Sequence, residues 1–246
     1  MVFLKMFKVL ALMLCISMLS QNLFARNYEF SGAGGFTVGF YNPDLDFLHN
    51  KIQSVTPGFD KIEGPIITWG GGGYGLVSEH WRIGGYGFGG EKLISGTFTD
   101  PNNEGAYLPQ DVVISFGGGG FYSEYILGHI FNRLEGAISL GIGGAGVKIK
   151  IAQYSNNVTW DGLFEGFDPN VAAENKVIQI SNGGILLNPG VGVKFHVNSF
   201  FAIEGMASYV MILFPGDWRF EGVTVRDTPD FEFDAPVFGM RFLFGG

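Results

Sequence analysis

Four histidines, His49, His80, His129 and His196, are the residues best suited to acid–base or metal chemistry in this chain of 246 residues. The single cysteine, Cys15, lies close to its start. His80, His129 and His196 fall in or beside short connections between apolar alternating runs, one to each connection. Gathered at one rim, three imidazoles could form a metal site, because neutral imidazole is a common metal ligand. No His-x-x-x-His or His-Glu spacing supports a ligand set, so they read as amphipathic interface residues and no metal is expected. His49, in NPDLDFLHNKIQSV, is the one candidate for a histidine, nucleophile and carboxylate grouping, with Asp44, Asp46 and Ser54 nearby. Leu45, Leu48, Ile52 and Val55 recur at helical spacing after Pro43. A short amphipathic helix is the expectation there, and no catalytic residue is assigned.

Glycine-rich stretches raise a different chemistry, the cradling of phosphate. TWGGGGYGLVSEHWRIGGYGFGG, from Thr68 to Gly90, contains G-x-G-x-x-G at Gly70-Gly72-Gly75 and at Gly85-Gly87-Gly90, and a third match falls at Gly141-Gly143-Gly146. A dinucleotide site needs a strand, then a helix, then an acid about 20 residues on. Here strand patterns follow the glycines each time, and with 40 glycines in the chain such matches carry little information. No cofactor is expected. Glycine serves strands in another way, by allowing them to bend and by leaving room for neighbouring side chains. The same hairpin pattern returns at Ser115–Gly144 and, more weakly, around Gly183–Ala207.

The elements that would position these residues are strands. Val191, Val193, Phe195 and Val197 alternate with Gly192, Lys194 and His196. Leu134, Ile138, Leu140 and Ile142 share one face, with Glu135, Ala137, Ser139, Gly141 and Gly143 on the other. Phe238, Met240, Phe242 and Phe244 alternate with Gly239, Arg241 and Leu243. One face is greasy and the other small or polar with isolated charges, which suits a narrow barrel with an apolar exterior. Eight strands are read: Phe30–Phe40, Pro65–Val77, Arg82–Phe98, Val112–Leu127, Arg133–Ile151, Val177–Val197, Phe200–Phe214 and Phe231–Phe244. Short connections at Ser78–Trp81, Gly128–Asn132 and Asn198-Ser199 alternate with long ones at Tyr41–Gly64, Thr99–Asp111, Ala152–Lys176 and Pro215–Asp230. Trp81, Tyr125, Phe131, Phe200 and Phe201 stand near the short turns, where an interfacial aromatic girdle belongs.

The alternation puts Lys194, Glu204 and Arg241 on lumen faces. With a turn centred on Ser199, Lys194 and Glu204 face each other, and Arg241 reaches a similar depth on the last strand. A buried cluster of these three charges is expected, because a lone charge facing lipid is costly. The long connections carry acids (Asp161, Glu165, Asp168, Glu174; Asp217, Glu221, Asp227, Asp230) and aromatics, among them Trp160, Phe164, Phe167, Trp218 and Phe220. They read as solvated loops, or as a recognition surface whose anchors are Trp160, Phe164, Trp218 and Phe220.

MVFLKMFKVLALMLCISMLSQNLFA has basic Lys5 and Lys8, an apolar run from Val9 to Leu19 and a cleavable Leu23-Phe24-Ala25. Residues 1–25 read as a secretory signal peptide and residues 26–246 as a single domain. Removing the signal takes away two lysines and the cysteine, moving the net charge from −8 to −10 and leaving no thiol for a disulfide or thiolate site. So acidic a chain is a poor binder of nucleic acid. Only 15% of residues are charged, against about 25% in average soluble domains.

The signal segment, the alternation of short turns with long loops and the aromatic last strand FGMRFLFGG together resemble small outer-membrane β-barrel proteins of the eight-stranded type. That resemblance covers the whole mature chain and fixes no subfamily. It implies an all-β, closed, antiparallel, up-and-down transmembrane barrel with a short helix in the first long loop. It also implies outer-membrane lipid as surroundings, and periplasmic chaperones and the barrel-assembly machinery as partners during export. The reading is a monomer with a structural or loop-mediated binding role, passing at most very small solutes, and not an enzyme. Two alternatives stay open: an outer-membrane lipid-modifying enzyme and a soluble lipocalin-like binder.

Overall fold

A computed structural model describes residues 31–55, 61–99, 107–130, 133–154, 176–228 and 232–245. The expected signal segment, Phe131, Trp160, Phe164 and the acids of residues 155–175 lie outside the described residues. The strands are β1 (Gly32–Tyr41), β2 (Ile66–Ser78), β3 (Trp81–Thr99), β4 (Tyr107–Ile130), β5 (Leu134–Gln153), β6 (Lys176–His196), β7 (Phe201–Leu213), the short β8 (Arg219–Phe220) and β9 (Val223–Thr224), and β10 (Ala235–Gly245). Helix α1 (Asp46–Val55) follows β1. Each of β1 to β6 pairs antiparallel with the next, β7 pairs with β10, and β10 closes on β1. The result is a closed eight-stranded, up-and-down barrel. Closure leaves no unpaired edge, which is the condition for strands to sit in lipid.

Every face assigned by alternation can be read off the wall. Val191, Val193, Phe238, Met240, Ile142 and Phe244 are exposed on the outside, together with Trp69, Phe36 and Phe121. In water such a belt would be an apolar patch far beyond what monomers expose; in hydrocarbon it is the favoured surface. Trp81 packs edge-on to Tyr125 at 4.9 Å, and Phe201 stacks on Phe244 at 5.1 Å, both beside the short turns. Among the described residues, no helix is long and apolar enough to cross a membrane; the strands do the crossing.

The wall is uneven. Strands β1, β2, β7 and β10 have 10, 13, 13 and 11 residues, close to the roughly 9–11 a tilted strand needs to span a bilayer. Strands β3 to β6 have 19, 24, 20 and 21. Half the barrel therefore rises past the membrane on the long-loop side. Sequence alternation continues into this tall part without a break, with Val112, Ile114, Phe116, Val147 and Ile149 turned inward and buried. Exposed, that concave apolar face would be costly. Leu45 just before α1 and Leu48 and Ile52 within it, with Trp218 and Phe233, pack on it in one hydrophobic cluster. The Asp44 carboxylate accepts from the Asp46 amide at the start of α1, and the Ser54 hydroxyl donates to the Lys51 carbonyl in its last turn. The residues around His49 thus build a helix that closes the mouth, and His49 itself is buried.

The strand bounds agree with the sequence reading within two residues except in β4, which runs on to Ile130 and not Leu127, and in β10, which begins at Ala235 and not Phe231. β4 begins at Tyr107, not Val112, because its start pairs with the equally long end of β3, Thr99 opposite Tyr107. The last long connection is not wholly irregular. β8 adds to β6, with Arg219 opposite Ser181, and turns through Glu221 and Gly222 into β9. Both turn residues have positive φ, 47° and 87°, as a tight primed hairpin turn requires.

Candidate functional site

The short-turn end of the lumen is floored by charge. Six consecutive strands each contribute one side chain: Arg82 from β3, Glu124 from β4, Glu135 from β5, Lys194 from β6, Glu204 from β7 and Arg241 from β10. Alternation turns each of them inward, since their sequence neighbours belong to the lipid face. Strand register supplies four of the adjacencies: Arg82 opposite Glu124, Glu135 opposite Lys194, and Glu204 opposite both Lys194 and Arg241.

The side chains bond to one another, with Arg82 Nε left without a partner among the described residues. Arg82 Nη1 donates to Glu124 Oε1 at 2.8 Å and Nη2 to Glu135 Oε2 at 2.6 Å, with a further bond from Nη1 to Glu135 Oε1. Lys194 Nζ donates to Glu135 Oε1 at 3.0 Å and to Glu124 Oε1 at 3.5 Å. Arg241 Nη1 donates to Glu204 Oε2 at 3.3 Å. Tyr74 lies between two of the cations, 4.7 Å from its ring centre to Arg82 Cζ and to Lys194 Nζ, and Arg241 Cζ stands 5.4 Å over Tyr122. Isolated buried charges would each cost several kcal/mol. Arg82, Lys194, Glu124 and Glu135 in one network, with the Arg241–Glu204 pair beside it, offset that cost and leave the floor neutral.

All three charges expected inside are here. Arg241 meets Glu204, and Lys194 faces Glu204 in register. The pairing of Lys194 differs from the expectation: its ammonium reaches Glu135 on the neighbouring β5 and Glu124 on β4 beyond it, on the side away from Glu204. Arg82, Glu124 and Glu135 were missing from the sequence-derived cluster. Alternation could have placed them, as Glu135 already shared a face with small inward residues. Their convergence, however, depends on the stagger between β4 and β5, where Glu124 lies opposite Ser139 and not Glu135.

The histidines need a correction. His129 and His196 are not interface residues but point into the lumen, with Nε2 atoms 3.3 and 3.6 Å from Glu135 Oε2. His80 stays outside, stacked on Tyr125. A bulge between Ile126 and Gly128 shifts β4 by one residue and turns His129 inward. Two imidazoles and a carboxylate within reach of one another are a possible ligand set. Glu135, however, already receives Arg82 and Lys194, so a divalent ion would add two charges beside two full cations. Imidazole N–H groups directed at Oε2 fit that surrounding better than a metal does.

Above the floor lies a cavity of about 80 Å³, between polar Thr37, Thr68, Ser139 and Asn188 and the rings of Tyr86 and Phe116. Above that begins the apolar plug, where Tyr41 stacks on Phe116 at 4.3 Å.

The chain is similar to small outer-membrane barrels. The outer membrane protein OprG of Pseudomonas aeruginosa aligns over 89% of this chain and 99% of its own, with 10% identity and a TM-score of 0.41. CarO of Acinetobacter baumannii aligns over 89% and 98%, with 12% identity and a TM-score of 0.38. The attachment invasion locus protein of Yersinia pestis aligns over 87% and 95%, with 11% identity and a TM-score of 0.36. No protein-family model and no curated protein matches the sequence.

Of the aromatic loop anchors, Trp218 is only 3% exposed and packs against Phe214 and Phe233. It belongs to the plug and is not available as a contact. Phe220 is partly exposed on the β8–β9 hairpin, near the more exposed Val223.

Proposed function

We propose that this chain is exported through its signal segment, is matured at Arg26 and is inserted in the outer membrane, where it acts as a closed, non-enzymatic scaffold presenting its long-loop end for binding. Chaperones and the assembly machinery would handle it in transit, and it would stand as a monomer. The observation that carries this reading is the neutral charged floor beneath an apolar plug. A permeation path would have to part Arg82 from Glu135 and then move through Tyr41, Phe116 and α1, which are packed by dispersion and burial. Strands β3 to β6 lift the loop end beyond the lipid, with Phe220 and Val223 exposed at one corner. Trp160 and Phe164 belong to the same proposed binding end.

The mature protein, refolded in detergent and added to a planar lipid bilayer, should insert without steady conductance. Stable ohmic steps would overturn the closed-scaffold reading. Cell fractionation should place the protein in the outer membrane with heat-modifiable migration and an N-terminus at Arg26. Recovery in the aqueous fraction would overturn the membrane reading.

A further inference from the structure

Outside the barrel, two rows that run across neighbouring strands differ sharply in chemistry. The upper row is Glu91, Ser115, Lys148, Ser181 and Arg219, each opposite the next on β3, β4, β5, β6 and β8. The row beneath it, two residues lower on each barrel strand, is Gly117, Gly146 and Gly183, and Gly89 extends it onto β3. From β4 onward, upper and lower rows line one cleft of about 950 Å³ on the wall, bounded on its far side by the chain from Pro215 to Thr224.

The glycines of this lower row are not there because the barrel interior demands them. On the lumen side, a Cβ at Gly120 would come within 2.1 Å of the Ile142 carbonyl oxygen, so packing excludes any side chain. On the outside, a Cβ at Gly89, Gly146 or Gly183 would come no closer than 3.6 Å to a neighbour, while one at Gly117 would lie 3.2 Å from the Phe88 carbonyl oxygen. At three of the four positions a side chain would fit, yet the wall is bare. Its borders are not, since Trp69 continues the row on β2 and Phe121 projects below it, 63% and 73% exposed.

Depth identifies what meets these rows. From Leu134 to Lys148, β5 climbs roughly 35 Å along the barrel axis, at about 3.4 Å per residue and a tilt near 40°. The apolar band of such barrels is about 25 Å tall. Counted from Leu134, Lys148 stands about 10 Å beyond that band and Gly146 about 5 Å beyond it. This places the charge row, with Arg219 joined to it through Ser181, among the headgroups and the glycines at the border with the acyl region. Both cations are exposed and, among the described residues, neither has an ion pair, although Asp217 lies at the cleft's edge. The Ser115 hydroxyl is shared with Glu91 at 3.2 Å. The Ser181 side chain stands between the two cations in the row.

We propose that this cleft holds a phosphorylated lipid of the outer leaflet, its phosphate on Lys148 and Arg219 with the Ser181 hydroxyl between them, and an acyl chain laid on the glycine wall. The charge row recognises the phosphate as a point-charge and fork pair. The bare wall lets the chain lie against backbone, where ordinary side chains would hold it away. The site commits to a lipid, and not to a soluble phosphate, because the glycine row contributes only when an acyl chain is attached.

The test uses the full mature protein in zwitterionic detergent micelles, titrated with dipalmitoyl phosphatidic acid and followed by native mass spectrometry. Dipalmitoylglycerol serves as the phosphate-free probe and glycerol phosphate as the chain-free one. Phosphatidic acid should be retained well above both. Lys148→Gln with Arg219→Gln should lower its apparent affinity about 30-fold, from about 1 kcal/mol per cation near a lipid surface. Gly146→Val should weaken phosphatidic acid and leave glycerol phosphate unchanged. Each single glutamine variant, checked for heat-modifiable migration, should lose about fivefold and serves if the double variant does not fold. Equal retention by wild type and the glutamine variants, or binding of glycerol phosphate as tightly as of phosphatidic acid, would overturn the proposal. Bilayer conductance is indifferent to either result, so the closed-lumen reading stands or falls separately.

Discussion

Arg82 on β3 grips Glu135 on β5 across the intervening strand, 53 residues away in sequence, with both side chains fully buried and Nη2 2.6 Å from Oε2. Glu135 also accepts from Lys194 and faces two histidines, so it is the acceptor on which the floor converges. Removing it should be the most damaging single change in the lumen.

Glu135→Ala leaves Arg82 and Lys194 sharing Glu124 alone, an uncompensated buried charge. A loss of about 3–5 kcal/mol is expected, read from urea unfolding in detergent micelles. Replacing the pair together, Arg82→Met with Glu135→Leu, leaves Glu124 matched to Lys194. That double variant should be distinctly more stable than Glu135→Ala; if it is not, charge balance is not what stabilises the floor.

Glu204→Ala should cost less. Arg241 loses its carboxylate, but Lys194 keeps both of its own. About 2 kcal/mol is expected, the scale of one charge-assisted hydrogen bond. A loss as large as that of Glu135→Ala would mean that Lys194 depends on Glu204 more than its contacts imply.

Gly120 and Gly87 test the two faces of the wall. Gly120→Ala drives a methyl into the Ile142 carbonyl and should block assembly or cost about 3 kcal/mol or more. Gly87→Ala points outward with its nearest neighbour at 3.8 Å and should leave heat-modifiable migration unchanged. Comparing the two in one refolding assay checks the assignment of faces.

The plug should be separable from the barrel. Trp218→Ala removes a buried ring held between Phe214 and Phe233, and should cost about 3–5 kcal/mol of local stability. Limited proteolysis should then cut between Pro215 and Arg226 much faster, with the membrane-embedded strands still protected. Unchanged proteolysis would show that Trp218 does not secure this connection.

Much of this protein was legible in its residues because a strand has a period of two. Val191, Val193 and Phe195 could only share a face, and so could Lys194 and His196; the short Ser78–Trp81 link could only make a tight hairpin. Leu45, Leu48 and Ile52 announced a helix by their spacing. Alternation therefore determined the strands, their two faces, the closed topology and the inward course of Lys194, Glu204 and Arg241. It does not determine depth across non-adjacent strands, because that depends on the stagger accumulated around the ring. Only the tertiary structure decided that Glu135 meets Arg82 rather than a residue of its own hairpin, and that a bulge at Ile126–Gly128 turns His129 toward the same carboxylate. It also decided that Trp218, which reads as an exposed loop aromatic, is buried: the tall inner face of β3 to β6 presents more apolar surface than α1 alone covers, and Trp218 and Phe233 cover the remainder.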